Sequence, residues 1–258
     1  MNSLKSFSLV AGFFLTISSP ISQAQVEEIT YNPAEEGEIT RNVVSGVRGM
    51  RGMRGMRGMR GMRGMRGMRG MRGMRGGCWN IQNDFALRLL VPKRTGKTVD
   101  AQPTLYWSIS ESLENADFTF IIDKTPDKLT VFSETPLLKD TFHLESVKAG
   151  IHTLPLSNYN LNLEKNVEYE WSISLICDPE NPSLNVSAIS TIKRVDIPPM
   201  LSKVNEHNDM AALYAKHGFW YNALDVLSER IKADNSLHDL RARLLQQVGL
   251  PEVAVYDM

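Results

Sequence analysis

The stretch from Val167 to Cys177, VEYEWSISLIC, alternates apolar and polar residues, and that alternation constrains the chain more than any other local feature. Val167, Tyr169, Trp171, Ile173, Leu175 and Cys177 fall on one side of an extended backbone. Glu168, Glu170, Ser172 and Ser174 fall on the other, with Ile176 as the apolar exception. A period of two belongs to a strand with one buried face, the usual form of an antiparallel sheet. It also puts Cys177 on the core-facing side. The same period recurs at Leu105, Trp107 and Ile109 in PTLYWSIS, at Phe118, Phe120 and Ile122 in DFTFIID, and at Leu184, Val186 and Ala188 in LNVSAIS. Shorter apolar runs at Phe85–Val91, Leu129–Phe132, Leu137–Leu144 and Ile151–Leu156 bring the expected strands to about eight.

Turn-forming stretches separate these runs: KRTGKT, DKTPDK, VKAG and DPENP. Short strands at this spacing over residues 78–197 predict an antiparallel β-sandwich of immunoglobulin-like type, with Trp107, Tyr169 and Trp171 in its core. LEKNVEYEW has the form of a tyrosine corner, in which Tyr169 bonds back to the preceding turn; the alternative is an ordinary core tyrosine.

IPPM, Ile197 to Met200, marks a change of period. Residues 198–258 are expected to form a tail of two to three helices, making the fold mainly β with an α-helical end. Met210, Leu213 and Tyr214 are spaced at three and four, and Gly218 then offers a stop. Tyr221, Leu224, Leu227 and Ile231 share the next stripe. The last helix is expected to start at Ser236 as N-cap, with Asp239 three residues on, and to end at Gly249-Leu250-Pro251. LYAKHGFWYNALDVLSERIKADN resembles one tetratricopeptide-type unit, yet about three units are needed for a solenoid, so a small bundle packed on the sandwich is expected. Phe219, Trp220 and Tyr221 are candidate interaction residues, because three consecutive aromatics do not all face one core. Packing against both the tail helices and the sandwich is the alternative.

Upstream lie three segments of different character. Lys5 followed by the apolar run SLVAGFFLTI, with Pro20 and the small residues of SQA, predicts a signal peptide over residues 1–24, cleaved between Ala24 and Gln25. The apolar run is shorter than the roughly 20 residues of a membrane span. No later segment is long and apolar enough for one, so no stable membrane span is expected after cleavage. Residues 25–47 hold five Glu against one Arg with few bulky apolar residues, the composition of an acidic disordered segment. Residues 48–77 are a repeat linker built on nine identical Arg-Gly-Met triplets.

That repeat hides a charge division behind a net charge of zero: residues 48–76 carry ten Arg and no acid. From Cys78 onward 17 Lys plus Arg stand against 24 Asp plus Glu, a net of −7. The repeat admits four readings. Thioethers every third residue suit Cu(I), but an Arg beside every Met opposes cation loading. Glycine every third residue fits a collagen-like triple helix, though without proline. Extended as polyproline II, the tract would align Arg side chains roughly 9 Å apart, close to the Debye length, for weak contact with a polyanion. Perfect repetition also fits a spacer reaching roughly 30 Å as a coil. The reading adopted is a cationic spacer first and a polyanion contact second.

Two cysteines remain, and in an exported chain an even count predicts a disulfide between Cys78 and Cys177, with buried free thiols as the alternative. Neither has a CxxC or CxxH neighbour, so no metal site is expected. His143, His152, His207, His217 and His238 form no HExxH motif, and no GxSxG, Walker or dinucleotide pattern occurs. No catalytic residue and no cofactor is therefore assigned.

In order along the chain stand a signal segment, an Arg/Gly-rich stretch ending RGGC, LRLLVP, QPTLYWSIS, YEWSISLICDPENPSLN, LYAKHGFWYNALDVLSERI and LLQQVGL. This series resembles the bacterial domain-of-unknown-function 928 family over about Arg75 to Leu250. The chain departs from the family's pattern in the length and regularity of its repeat. The resemblance implies an exported protein of the periplasm or cell envelope of a Gram-negative-type bacterium, and brings no catalytic residue with it. The expected function is a non-catalytic interaction module for another envelope protein or a glycan. The alternatives are a methionine-rich Cu(I)-handling protein and an unrecognised hydrolase.

Overall fold

The computed structural model describes residues 28–33, 78, 81, 84–125, 135–201 and 210–257. The expected signal segment with its Ala24–Gln25 cleavage point, the repeat linker 48–77, the run Leu129–Phe132 and Glu206–His207 lie outside the described residues.

Strand β7 (Glu168–Leu175) realises the alternation that defines it: Tyr169, Trp171, Ile173 and Leu175 are buried, and Glu170 is exposed. It pairs antiparallel with β4 (Leu113–Lys124) on one side and β8 (Val186–Arg194) on the other. β5 (Leu138–Val147) extends the sheet beyond β4, and β2 (Gly96–Thr98) lies at its other end, giving the order β2-β8-β7-β4-β5. The second sheet runs β1-β3-β6, from Leu87–Leu89, Thr104–Ile109 and Gly150–Pro155. The fold is mainly β, with two sheets and a small helical region at the C-terminal end. Trp107 of β3 meets Phe118 of β4 at 5.0 Å between ring centres, so the sheets bury their apolar faces against one another.

Two local features sharpen the sequence reading. The Glu164 backbone N–H donates to Tyr169 Oη at 3.1 Å, so Tyr169 does bond back to the preceding turn. KRTGKT, expected as a turn, instead contributes β2, which pairs parallel with β8 from Gly96–Ile192 to Thr98–Arg194. The outer backbone of β8 thereby gains partners for its polar groups. Glycine is required there: a Cβ on Gly96 would lie 2.6 Å from the Tyr221 ring.

The helices are α1 (Met210–Lys216), α2 (Trp220–Ile231), α3 (His238–Gln247) and α4 (Pro251–Ala254). Gly218 and Gly249, with φ of 78° and 85°, stand in the left-handed region after α1 and α3, as their sequence positions predict. The expected cap at Ser236 is displaced by two residues. Asp234 accepts from the Ser236 N–H at 2.9 Å and starts a short 3-10 turn from which α3 continues.

Helix α2 closes one side of the two-sheet body. Trp220 Nε1 donates to the Leu90 carbonyl at 2.7 Å, and Trp171 Nε1 donates to Tyr221 Oη at 3.1 Å. Tyr106 Oη donates to Asp225 Oδ1 at 2.7 Å. Asn222 accepts from the Val99 N–H and donates to Asp100 Oδ2, at 3.0 and 2.7 Å. The two indole bonds are buried, where an unmade partner would cost about 1–3 kcal/mol each, and the other three are part-buried at the rim of the same seam. Phe219, Trp220 and Tyr221, expected as interaction candidates, are 4%, 0% and 1% exposed. They are corrected to interior residues, because the helix sits across the seam between its own bundle and the strands, so successive side chains are all covered.

The acidic segment 25–47 is also corrected in part. Ile29 and Tyr31 are 3% and 8% exposed and belong to the core. A six-residue extended stretch buries its surface against helices folded elsewhere in the chain, which segment composition does not reveal.

Cys78 and Cys177 are joined in a disulfide, with Cα atoms 4.5 Å apart and 99 residues between them in sequence. Replacing both cysteines by serine should lower unfolding stability by about 3–5 kcal/mol, read from urea unfolding against the oxidised protein. Gly96→Ala should cost about 1–3 kcal/mol through overpacking on Tyr221, read as a fall in Tm with an unchanged m-value.

Candidate functional site

β5 and β6 follow one another with only Lys148 and Ala149 between them, yet they belong to different sheets. Gly150, at φ 127°, takes the backbone through the switch. Among the described residues each is therefore the last strand of its sheet, paired on one side only: β5 with β4, and β6 with β3. The opposite side of the body is closed by α2. On the β5–β6 side a groove of about 400 Å³ opens between the two sheets.

Its walls come from three strands and a short turn. Trp107 of β3, Phe142 and Leu144 of β5, His152 and Leu154 of β6, and Tyr159 of the Leu156–Tyr159 3-10 turn line it. Along β5 the alternation leaves Leu138, Asp140, Phe142 and Leu144 only half-buried, whereas Phe118, Phe120 and Ile122 of neighbouring β4 are fully covered. The apolar face of β5 thus reaches beyond the sheet that should cover it.

Trp107 is 2% exposed, and its indole N–H has no hydrogen-bond partner among the described residues. An unpaired buried donor is costly, and its ring is held by Phe118 on one flank and His152 at 4.7 Å on the other. His152 Nε2 lies 2.8 Å from the Lys148 carbonyl oxygen. Burial holds the His152 imidazole below its ordinary value, while the contact with that carbonyl pulls the other way. Tyr159 Oη donates to Asp140 Oδ2 at 3.1 Å and stacks near Phe120. Burial, and then the Asp140 carboxylate, push its phenol up to about 12, so it remains a neutral donor at the groove. The arrangement offers aromatic walls, one neutral imidazole, one carboxylate and two strand edges that have no partner among the described residues.

A second hollow of about 250 Å³ lies beside the disulfide, between Asn115, Asp117, Cys177 and Pro179. Its polar groups are turn and strand-end residues.

Ser228, His238 and Asp257 come together, but not as nucleophile, base and orienter. Arg241 donates to both oxygens of buried Asp257 and, at 3.1 Å, to Ser228 Oγ; His238 Nδ1 lies 3.1 Å from Asp257. The guanidinium stands where a base would have to meet the serine, and the cluster fastens the last turn of the chain to α3. Among the described residues, no group of three or more His, Cys, Asp or Glu is placed to hold a metal ion, and no helix is long and apolar enough to cross a membrane. The methionine repeat lies outside these residues.

The groove was not anticipated. The available signal was LKDTFHLESV itself, where a strand-period pattern carries an incompletely covered apolar face, and the sequence reading used it only to place a strand.

His152 supplies a pH test. Its folded-state value is lowered, so the unfolded chain takes up a proton first. Stability is unaffected at pH 7.5 and is lost as pH falls below about 6.5 towards the folded-state value. Urea unfolding of wild type should show a steeper loss between pH 7 and 5.5 than His152→Gln does.

No curated protein matches the chain. A family described as Domain of Unknown Function (DUF928) matches residues 67–257, from within the repeat to the end of the helical region. That match covers well over half of the sequence, and the chain belongs to this family.

Proposed function

We propose that this protein is a non-catalytic binding module of the cell envelope of a Gram-negative-type bacterium, and that its groove takes an extended segment of another envelope protein. The observation carrying this reading is the pair of strand edges, β5 and β6, that have no partner among the described residues and flank an aromatic groove on the side away from α2. An extended partner supplies main-chain donors and acceptors to such an edge, and its alternate side chains enter the half-covered apolar strip at Phe142 and Leu144. Trp107 adds a buried donor in want of an acceptor.

The sandwich is read as immunoglobulin-like on further support. The orders β1-β3-β6 and β8-β7-β4-β5 parallel the A-B-E and G-F-C-C′ strands of that fold, and the tyrosine corner stands at the start of the F equivalent. The bridge departs from that pattern, since Cys78 precedes β1 rather than lying in β3. Export rests on the apolar N-terminal segment and on a disulfide that an oxidising compartment preserves. The Arg repeat is read as a cationic spacer with weak polyanion contact.

A photo-crosslinking residue placed at exposed Thr153 in the groove, with one at Ile189 on β8 as control, tests this in intact cells. Protein adducts specific to Thr153 are expected. Saccharide adducts at Thr153 would replace the protein reading by a glycan one. Equal labelling at both positions, or none at Thr153, would end the assignment of the groove.

A further inference from the structure

The helical region holds a second recognition surface, and its occupant is visible. Residues Glu28–Pro33 run extended across the ends of α1 and α3. Gln247, the last residue of α3, grips the backbone at two points: its Oε1 accepts from the Tyr31 N–H, and its Nε2 donates to the Ile29 carbonyl, both at 2.8 Å. An amide that pairs with an N–H and a C=O two residues apart reads an extended backbone independently of side chains. Side chains add the selectivity. Ile29 and Tyr31 alternate inward into the core, and Tyr31 meets the Trp220 ring edge-on at 5.0 Å. Asn32 then caps α1: its N–H donates to the Ala215 carbonyl and its Nδ2 to the Lys216 carbonyl, each at 3.1 Å. Those carbonyls belong to the last turn of a helix, where intrahelical donors run out.

We infer that Ile29-Thr30-Tyr31-Asn32 is a docking motif for a peptide site formed by α1, α3 and Trp220, filled by the same chain. The helix ends and the Gln247 amide are complementary to an extended apolar-x-Tyr-Asn segment, and 45 residues separate that segment from Cys78. Cys78 is itself held by Cys177. The connection through residues 34–77, repeat included, is accordingly fastened at both ends: by docking upstream and by a covalent bridge downstream. On this inference the spacer joins two fixed points of one folded body. A tether of this kind gives the motif a local concentration of order millimolar, well above micromolar protein, so docking within one chain prevails over exchange between chains. This inference is independent of the β5–β6 groove.

Hydrogen–deuterium exchange on the full mature chain decides it. Amides of Tyr31 and Asn32 should exchange at least about tenfold more slowly than an undocked segment, at any protein concentration. Gln247→Ala should release the Tyr31 amide while leaving those of β4 and β7 protected. Tyr31→Ala should lower Tm by about 5 to 15 °C, whereas removing four of the nine triplets should shift it by no more than about 2 °C. Fast exchange at Tyr31 and Asn32 in wild type would overturn the proposal. So would protection indifferent to Gln247→Ala, and so would protection that disappears on dilution, which would place the motif in a second copy.

Discussion

The hydrogen bond from Trp171 Nε1 to Tyr221 Oη joins the middle of the central strand β7 to the first turn of α2, and both residues are buried. It is feasible only because Gly96 lets the Tyr221 ring approach the backbone of β2. From that contact the rest of the architecture follows. α2 is committed to the β2 side, Trp220 reaches the chain after β1, and Asn222 and Asp225 meet polar partners at the same seam. A body of two sheets has two open sides. With one sealed by α2, the other keeps its free edges at β5 and β6, and the groove lies there. The position of the groove is thus set by a bond on the far side of the molecule.

The period-two and period-three-to-four patterns located most strands and the tail helices because each reports burial on one face, which residue spacing encodes directly. Tyr169 was legible for the same reason, its hydroxyl being bound to a turn only five residues upstream. What escaped was everything decided between distant elements. β2 is too short for a period and depends on β8, about 95 residues later, for its pairing. For Phe219, Trp220 and Tyr221 the sequence left two readings open, contact with a partner or packing against both helices and sandwich, and only the burial around α2 decides for the second. The groove is a relation between two strand edges, and an edge has no residue signature of its own.

Ile29 and Tyr31 show the same limit from the other side. Two apolar residues among several glutamates do not suffice to order a segment by themselves. They are ordered because the last-turn carbonyls of α1 accept further donors and α3 ends with an amide, and a short extended stretch answers both. The family match begins at residue 67, so a description starting there leaves this contribution to the interior outside the domain.

The two fastenings also bear on why a perfectly repeated tract is compatible with a stable fold. A free cationic arm of variable length would alter how far the body stands from whatever the arm holds. A connection pinned at both ends alters neither end when it lengthens, since the closure entropy of a flexible loop grows only logarithmically, by about 0.6 kcal/mol per doubling. Ten arginines in the connection are opposite in sign to the residues from Cys78 onward, whose net charge is −7, so the chain's own body competes in charge with any external polyanion.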